Sequence, residues 1–166
     1  MPHKKFWLRL MVCLFSLCLP IVTLSLPAYA AVDPYVTRFL RVTEPIPLKV
    51  DTTESTRLFS AEDLSIGKAL FGQSCLNCHV GGNTLPDPTV PLSLAALQGA
   101  TPKRDNISAL VTYLRQPMIY DGTEETLVCR QVSESWLPTP MVENIAGFIL
   151  RAAQTAPGWG TETFQN

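Results

Sequence analysis

Histidine is nearly absent from this chain, since only His3 and His79 occur among its 166 residues. A protein with so little imidazole lacks a histidine-based acid–base pair, and we therefore do not expect an enzyme. Basic charge is also scarce, with 13 Lys and Arg against 14 Asp and Glu, so a nucleic-acid partner is not expected. After residue 30 there is no long apolar run, no internal repeat and no low-complexity block.

The first thirty residues have the organisation of a secretory signal peptide. Lys4, Lys5 and Arg9 precede an apolar stretch, and the small-x-small triplet at residues 28–30 follows it. The apolar stretch is just long enough to span a membrane, so an uncleaved anchor is the alternative. Pro20 and the cleavage-like triplet favour removal. We predict a signal peptide over residues 1–30.

Removal of that segment simplifies the charge and the cysteine content. Three of the 13 basic residues leave with it and all 14 acidic residues stay, so the formal charge becomes ten minus fourteen, or −4. Cys13 and Cys18 also leave, and Cys75, Cys78 and Cys129 remain. The remaining length suits one domain with one core.

The segment 31–59 is rich in Thr, Val and Pro. This composition predicts an extended N-terminal arm, with a short hairpin through 48–59 and no helix. We place the boundary with the main domain, 60–166, at Ser60, which can cap a helix whose first turn carries acidic residues.

The main domain reads as all-α. One helix is predicted over Ala61–Gln73 and a second over 104–116, before Pro117. The segment 123–140 is ambiguous and is predicted to be partly helical. A last helix is expected with Thr139 as its cap and Pro140 at its first position, followed by a loose tail after Gly160.

The pattern C-x-x-C-H, at Cys75, Cys78 and His79, is the attachment signature of a c-type haem. Both thiols can bond the haem vinyl groups, and the next histidine can ligate the iron. A thioredoxin-like pair would need flanking strands, whereas a capped helix precedes this motif. A zinc site with Cys129 would need adjacent side chains, Cys78 and His79, to converge on one ion. A plain disulfide would leave His79 without a role. We therefore predict one covalently bound haem c per chain.

Gly67 lies inside the helix that precedes the motif. A helical glycine costs about 1 kcal/mol relative to alanine, which is sensible where another group must approach closely. Phe148, on the last helix, is the aromatic residue that we expect to pack over it. The alternative is an ordinary amphipathic helix with an incidental glycine.

Several blocks of sequence resemble the class I cytochrome c fold and, more closely, the cytochrome c-550 family, the low-potential cytochrome on the lumenal side of photosystem II. These blocks are 67–82, 100–117, 120–122, 144–150 and 158–160. The chain is identified as a divergent member. The resemblance implies a monohaem electron carrier in the thylakoid lumen, soluble or peripheral to the membrane, that associates with photosystem II. The alternatives are an extrinsic structural subunit of photosystem II and a haem-based sensor with a dissociable Cys129 ligand.

The second axial ligand departs from the family pattern. That family has histidine on both faces of the iron, and its second histidine follows the "YDG" block by several residues. Here residues 123–135 contain no histidine, and Cys129 stands at or within a residue of that place. Cys129 is our predicted second ligand, with Met118 as the runner-up. An open or water-bound site is a further alternative, whereas we expect Met141 to be occupied in packing.

Overall fold

The chain divides into two units, Met1–Ala30 and Ala31–Asn166. The computed structural model describes residues 31–161 continuously and, before them, only His3, Lys4, Lys5, Trp7, Arg9 and Met11. The predicted signal peptide and the end of the predicted tail therefore fall largely outside the described residues and stay predictions. In the part of the chain that is described, no helix has the length and apolar character to cross a bilayer.

Residues 31–59 begin with a short helix, α1, at Pro34–Arg38. The Asp33 carboxylate accepts a hydrogen bond from the Tyr35 amide at 2.8 Å, and Pro34 stands in the first turn. Both features stabilise a helix start. The prediction that this segment contains no helix is therefore wrong, because an effective N-cap outweighs the strand-like composition.

A hairpin follows, as predicted. Strands β1, Ile46–Lys49, and β2, Thr56–Phe59, pair antiparallel with Leu48 opposite Arg57. The segment contributes to the main core through five buried side chains: Val36, Leu40, Val42, Leu48 and Phe59. It packs as part of the domain, and the predicted boundary at residue 60 stays a prediction.

Helix α2 spans Ala61–Ser74, within one residue of the predicted range. Its start is a capping box. The Ser60 hydroxyl accepts from the Asp63 amide at 3.1 Å, and the Asp63 carboxylate accepts from the Ser60 amide at 2.9 Å. Two of the free amides at the helix start are thereby satisfied. The predicted cap at Ser60 is confirmed.

The next helices are α3, Leu94–Gly99, and α4, Ile107–Arg115. Helix α3 was not expected from the sequence; Ser93 caps it by accepting from the Ala96 amide at 3.3 Å. Helix α4 begins later than predicted because the Asn106 side chain accepts from the Ala109 amide at 2.9 Å, which fixes the start of the helix.

The last helix, α5, spans Thr139–Thr155 and has Pro138 at its N-cap position. The prediction of Thr139 as the cap is wrong by one residue. The Glu134 carboxylate accepts from both the Thr139 amide, at 2.9 Å, and the Thr139 hydroxyl, at 3.0 Å. The preceding segment, residues 123–138, is irregular apart from a single β-bridge between Glu125 and Met118 and contains no helix, so its predicted partial helix is also wrong.

Helices α2 and α5 cross at Gly67. A Cβ atom at this position would overlap the Asn144 carbonyl and lie 3.1 Å from the Phe148 Cβ, so only glycine permits the approach. Beside the crossing, three aromatic rings pack with centroids 5.4–5.7 Å apart: Phe71, Phe148 and Trp159. The expected approach of Phe148 to Gly67 is confirmed.

Candidate haem site

The C-x-x-C-H residues lie at the end of α2. Cys75 is the C-cap residue, and its amide donates to the Phe71 carbonyl at 2.8 Å. The Cys75 carbonyl then accepts from the Cys78 amide at 3.1 Å and from the His79 amide at 3.0 Å. This turn carries all three side chains, Cys75, Cys78 and His79, to the wall of one cavity.

Apolar side chains form most of that cavity. Its lining encloses about 1330 Å³ of non-protein space, part of which is open to solvent. Lining residues come from the stretch between residues 71 and 149, and examples are Phe71, Leu92, Leu97, Leu110, Ile119 and Ile149. A flat, largely apolar cofactor suits such a cavity better than a small polar substrate.

Both predicted candidates for the second ligand line the same cavity. Cys129 lies in the irregular segment before α5, and Met118 lies in the turn after α4. Met141 does not line it and is 43% exposed, so the expectation that Met141 is occupied in packing is wrong. The structure thus retains two protein candidates for the second ligand.

Thr84 gives His79 a defined orientation. The Thr84 Oγ1 lies 3.0 Å from the His79 Nδ1 and also donates a hydrogen bond to the Val90 carbonyl. A carbonyl only accepts, and a hydroxyl has one proton, so that proton points to Val90. Nδ1 must therefore carry hydrogen, which leaves the Nε2 lone pair free to bind iron.

The electrostatics of the site reflect burial. Burial lowers the pKa of His79, although a hydrogen bond with the Asn83 backbone acts in the opposite direction. Burial, together with the nearby Cys129 and Cys78, raises the pKa of Cys75 to about 11. Without a metal or a bond to haem, these groups favour their neutral forms.

Cys129 has two neighbours that favour its thiolate. Burial raises its pKa overall, while a hydrogen bond with Tyr113 and the positive charge of Arg104 pull it downward. The Arg104 guanidinium stacks 4.0 Å above the Tyr113 ring and donates to the Ile119 carbonyl at 2.7 Å. The cation is therefore held in place on the side of the cavity that carries Cys129.

The three cysteines at the cavity are free thiols: Cys75, Cys78 and Cys129. Within residues 31–161 and the isolated positions before them, no three His, Cys, Asp or Glu side chains cluster in a way that could hold a metal ion by themselves. The residues present fit a haem, which would bring its own nitrogen ligands and use the protein only for attachment and axial ligation.

Sequence reasoning missed Thr84 and the pair formed by Arg104 and Tyr113. Arg104 and Tyr113 lie in the 100–117 block that carries the family resemblance, and a positive charge in that block is a signal that could have been followed. Thr84 offers no such signal, because its contact with His79 depends on how residues 80–92 fold.

Comparison with known proteins agrees with this geometry. The profile of the cytochrome c-550 domain matches residues 39–166. The chain belongs to the cytochrome c-550 family. A cytochrome c-550-like protein of Trichodesmium erythraeum is 49% identical over 162 residues, which is 98% of each chain. Photosystem II extrinsic protein V of Gloeobacter violaceus is 52% identical over 134 residues, 81% of this chain and 72% of its own.

A solved structure confirms the fold. The PsbV2 cytochrome of Thermosynechococcus elongatus is 55% identical and superposes with a TM-score of 0.77, covering 78% of this chain and 99% of its own. The all-α, class I cytochrome c-like fold predicted from the sequence, with its short hairpin before the main domain, is thus confirmed. Membership of the cytochrome c-550 family implies haem c as the cofactor.

Proposed function

We propose that this protein is a low-potential monohaem cytochrome that carries single electrons on the lumenal side of the thylakoid membrane and is not an enzyme. The observation that carries the proposal is one apolar cavity lined by Cys75, Cys78 and His79, in which Thr84 leaves the His79 Nε2 free. Haem, when bound, supplies the ferric–ferrous couple. The protein supplies attachment, axial ligands, burial and a surface for partners.

Cys75 and Cys78 would hold the haem covalently, and His79 would bind one face of the iron. A test is extraction with acidified acetone, which we expect to leave the haem on the protein. Replacing both cysteines, Cys75→Ser with Cys78→Ser, should abolish covalent haem. Free extraction of haem from the wild-type protein would contradict the proposal.

Cys129 is the proposed second axial ligand. Burial raises the pKa of Cys129 overall, but Tyr113 and Arg104 act in the opposite direction and would support an anionic sulfur once iron is bound. The family resemblance also implies that Cys129 is in register with the family's second ligand. An anionic donor stabilises ferric over ferrous iron, so the potential should be low. Met118 lines the same cavity and is the runner-up.

The matched pair Cys129→Ser and Met118→Leu separates the two candidates. We expect Cys129→Ser to convert the ferric spectrum from a low-spin, thiolate-like form to one with a weak or water ligand. Met118→Leu should leave it nearly unchanged. The reverse outcome would establish a conventional His–Met cytochrome with an incidental cysteine.

Association with photosystem II is the proposed partnership. Its support is the relative in Gloeobacter violaceus, which is named photosystem II extrinsic protein V. That name also supports a second candidate function, an extrinsic subunit that stabilises photosystem II and uses the haem mainly as part of its core. A peripheral subunit should be released from thylakoid membranes by salt or alkaline washing. Recovery only in the soluble fraction, never with the complex, would favour a free carrier.

A further inference from the structure

We infer that Thr84 is a positioning residue for the haem ligand His79, and that its hydroxyl helps to set the reduction potential. The inference rests on the proposed function in one respect, the ligation of iron by His79. The observation is the hydrogen-bonded chain from the His79 Nδ1 through the Thr84 hydroxyl to the Val90 carbonyl.

The direction of this chain follows from donor and acceptor capacity. The Val90 carbonyl can only accept, so the single hydroxyl proton of Thr84 is committed to it. The oxygen then faces Nδ1 with a lone pair, at 3.0 Å, and its own donation makes it a better acceptor. His79 is thereby fixed in the tautomer whose Nε2 lone pair is free to bind iron.

The loop that carries Thr84 is itself held in place by backbone bonds. The Leu85 amide donates to the Cys78 carbonyl at 2.9 Å, and the Leu92 amide donates to the Gly82 carbonyl at 2.7 Å. The Trp159 indole donates to the Leu92 carbonyl at 2.9 Å, which ties the loop to the residues after α5. The hydroxyl is therefore presented to His79 by a fixed scaffold.

The chemical consequence concerns the strength of the iron–imidazole bond. A hydrogen bond accepted from the outer nitrogen of a ligating histidine fixes the ring and raises its basicity as a ligand. A more basic imidazole favours ferric iron. Loss of the Thr84 hydroxyl should therefore favour ferrous iron and raise the potential.

The experiment compares the haem-loaded wild type with Thr84→Val, which keeps the side-chain shape but removes the hydroxyl. Thr84→Ser keeps the hydroxyl, and Thr89→Val alters an exposed threonine of the same loop. At a fixed ambient potential, Thr84→Val should raise the ferrous-to-ferric ratio about threefold to tenfold, the worth of one hydrogen bond. A tenfold change corresponds to about 59 mV for one electron. Thr84→Ser and Thr89→Val should stay close to wild type.

A second readout needs no variant. In the ferric wild-type protein, the His79 Nδ1–H should give a proton resonance that exchanges slowly with solvent and shows a nuclear Overhauser effect to the Thr84 side chain. This readout decides the matter if Thr84→Val does not accumulate as a haem protein.

The possible outcomes distinguish a failure of the proposed function from a failure of the role inferred for Thr84. A wild-type protein without covalent haem overturns the proposed function. If the wild-type protein carries covalent haem but shows no nuclear Overhauser effect between the His79 Nδ1–H and the Thr84 side chain, only this inference is overturned. This inference is also overturned if Thr84→Val keeps the wild-type reduction potential, because the Thr84 hydroxyl would then not influence His79.

Discussion

His79 itself is held by hydrogen bonds with residues that are close to it in the chain, whereas the segment that carries Cys129 is held by hydrogen bonds to helix α4. The Cys75 carbonyl accepts from the His79 amide at 3.0 Å, and Thr84 contacts His79 directly. In contrast, the segment 123–138 has no helix or strand, and Leu127 within it is 98% exposed. We therefore expect the proposed ligand His79 to be positioned locally and the proposed ligand Cys129 to be positioned by tertiary structure.

Arg115, at the end of α4, is the main anchor of the second region. Its guanidinium donates to the Val132 carbonyl at 2.8 Å and to the Leu137 carbonyl at 2.9 Å, and it also pairs with Glu134. The Val132 amide donates to the Leu114 carbonyl at 2.8 Å. These hydrogen bonds hold residues 132–137, which follow Cys129 closely in the chain. The position of the proposed sulfur ligand therefore depends on a side chain of α4.

The largest change in stability is expected from a substitution that disrupts the crossing of α2 and α5, next to the C-x-x-C-H turn. Gly67→Ala places a Cβ atom against the Asn144 backbone at the crossing of α2 and α5, and we expect it to lower the free energy of unfolding by about 3 kcal/mol. Gly72→Ala is the matched control, because no atom lies within 4 Å of the place that its Cβ would occupy. It should raise stability by up to about 1 kcal/mol.

Denaturant unfolding of the two haem-loaded variants measures this difference. Equal stability of Gly67→Ala and Gly72→Ala would show that the helices separate at little cost. The close approach would then not be a constraint on the residues that carry the C-x-x-C-H turn.

A smaller effect is expected from the Cys129 region. Arg115→Met removes the donors to Val132 and Leu137, and we expect a loss of about 2 kcal/mol in the free energy of unfolding. Covalent haem should be retained, because the Cys75 and Cys78 turn is untouched. The ferric spectrum should shift partly toward that of Cys129→Ser. The control is Arg38→Met, since Arg38 is exposed. If both variants keep the wild-type stability and spectrum, Arg115 does not anchor the Cys129 region.

The smallest effect concerns Asp33, which caps α1 and pairs with Lys68 of α2 at 2.6 Å. Burial opposes ionisation of this carboxyl, but the hydrogen bonds from Lys68 and the Tyr35 amide, with the Lys68 charge, lower its pKa below 3.8. A lowered pKa stabilises the fold at pH values above 3.8, and the contribution is lost as the pH falls through the folded-state value.

Asp33→Ala should therefore cost about 1 kcal/mol at pH 7 and less at pH 3. Denaturant unfolding at the two pH values, beside the exposed Asp87→Ala as a control, measures this. A difference between Asp33→Ala and wild type that is the same at both pH values would mean that the charge of Asp33 contributes nothing.

The sequence predicts the parts of the structure that depend on local signals better than the parts that depend on tertiary contacts. Ser60 and the glycine at 67 are signals that the structure confirms, whereas the haem attachment that C-x-x-C-H predicts stays a prediction. The start of α5 and the irregular course of 123–138 were predicted wrongly, because the Glu134 and Arg115 side chains fix them through hydrogen bonds with the backbone that periodicity does not encode.

The site shows the same limit. The types of Cys75, Cys78 and His79 at their spacing are enough to predict a haem. The choice between Cys129 and Met118 depends on how two irregular segments approach the same cavity, and both residues line it. Thr84 could not have been selected from the sequence, since its partner Val90 becomes a neighbour only when the loop has folded.

The most direct test of Cys129 as the ligand opposite His79 is X-ray absorption at the iron edge of the ferric wild-type protein, with Met118→Leu measured in parallel. We expect one iron–sulfur distance in the first shell, unchanged in Met118→Leu, together with a low-spin thiolate-type EPR signal. A first shell without sulfur, or a sulfur contribution that disappears in Met118→Leu, would contradict the assignment of Cys129 as the ligand opposite His79.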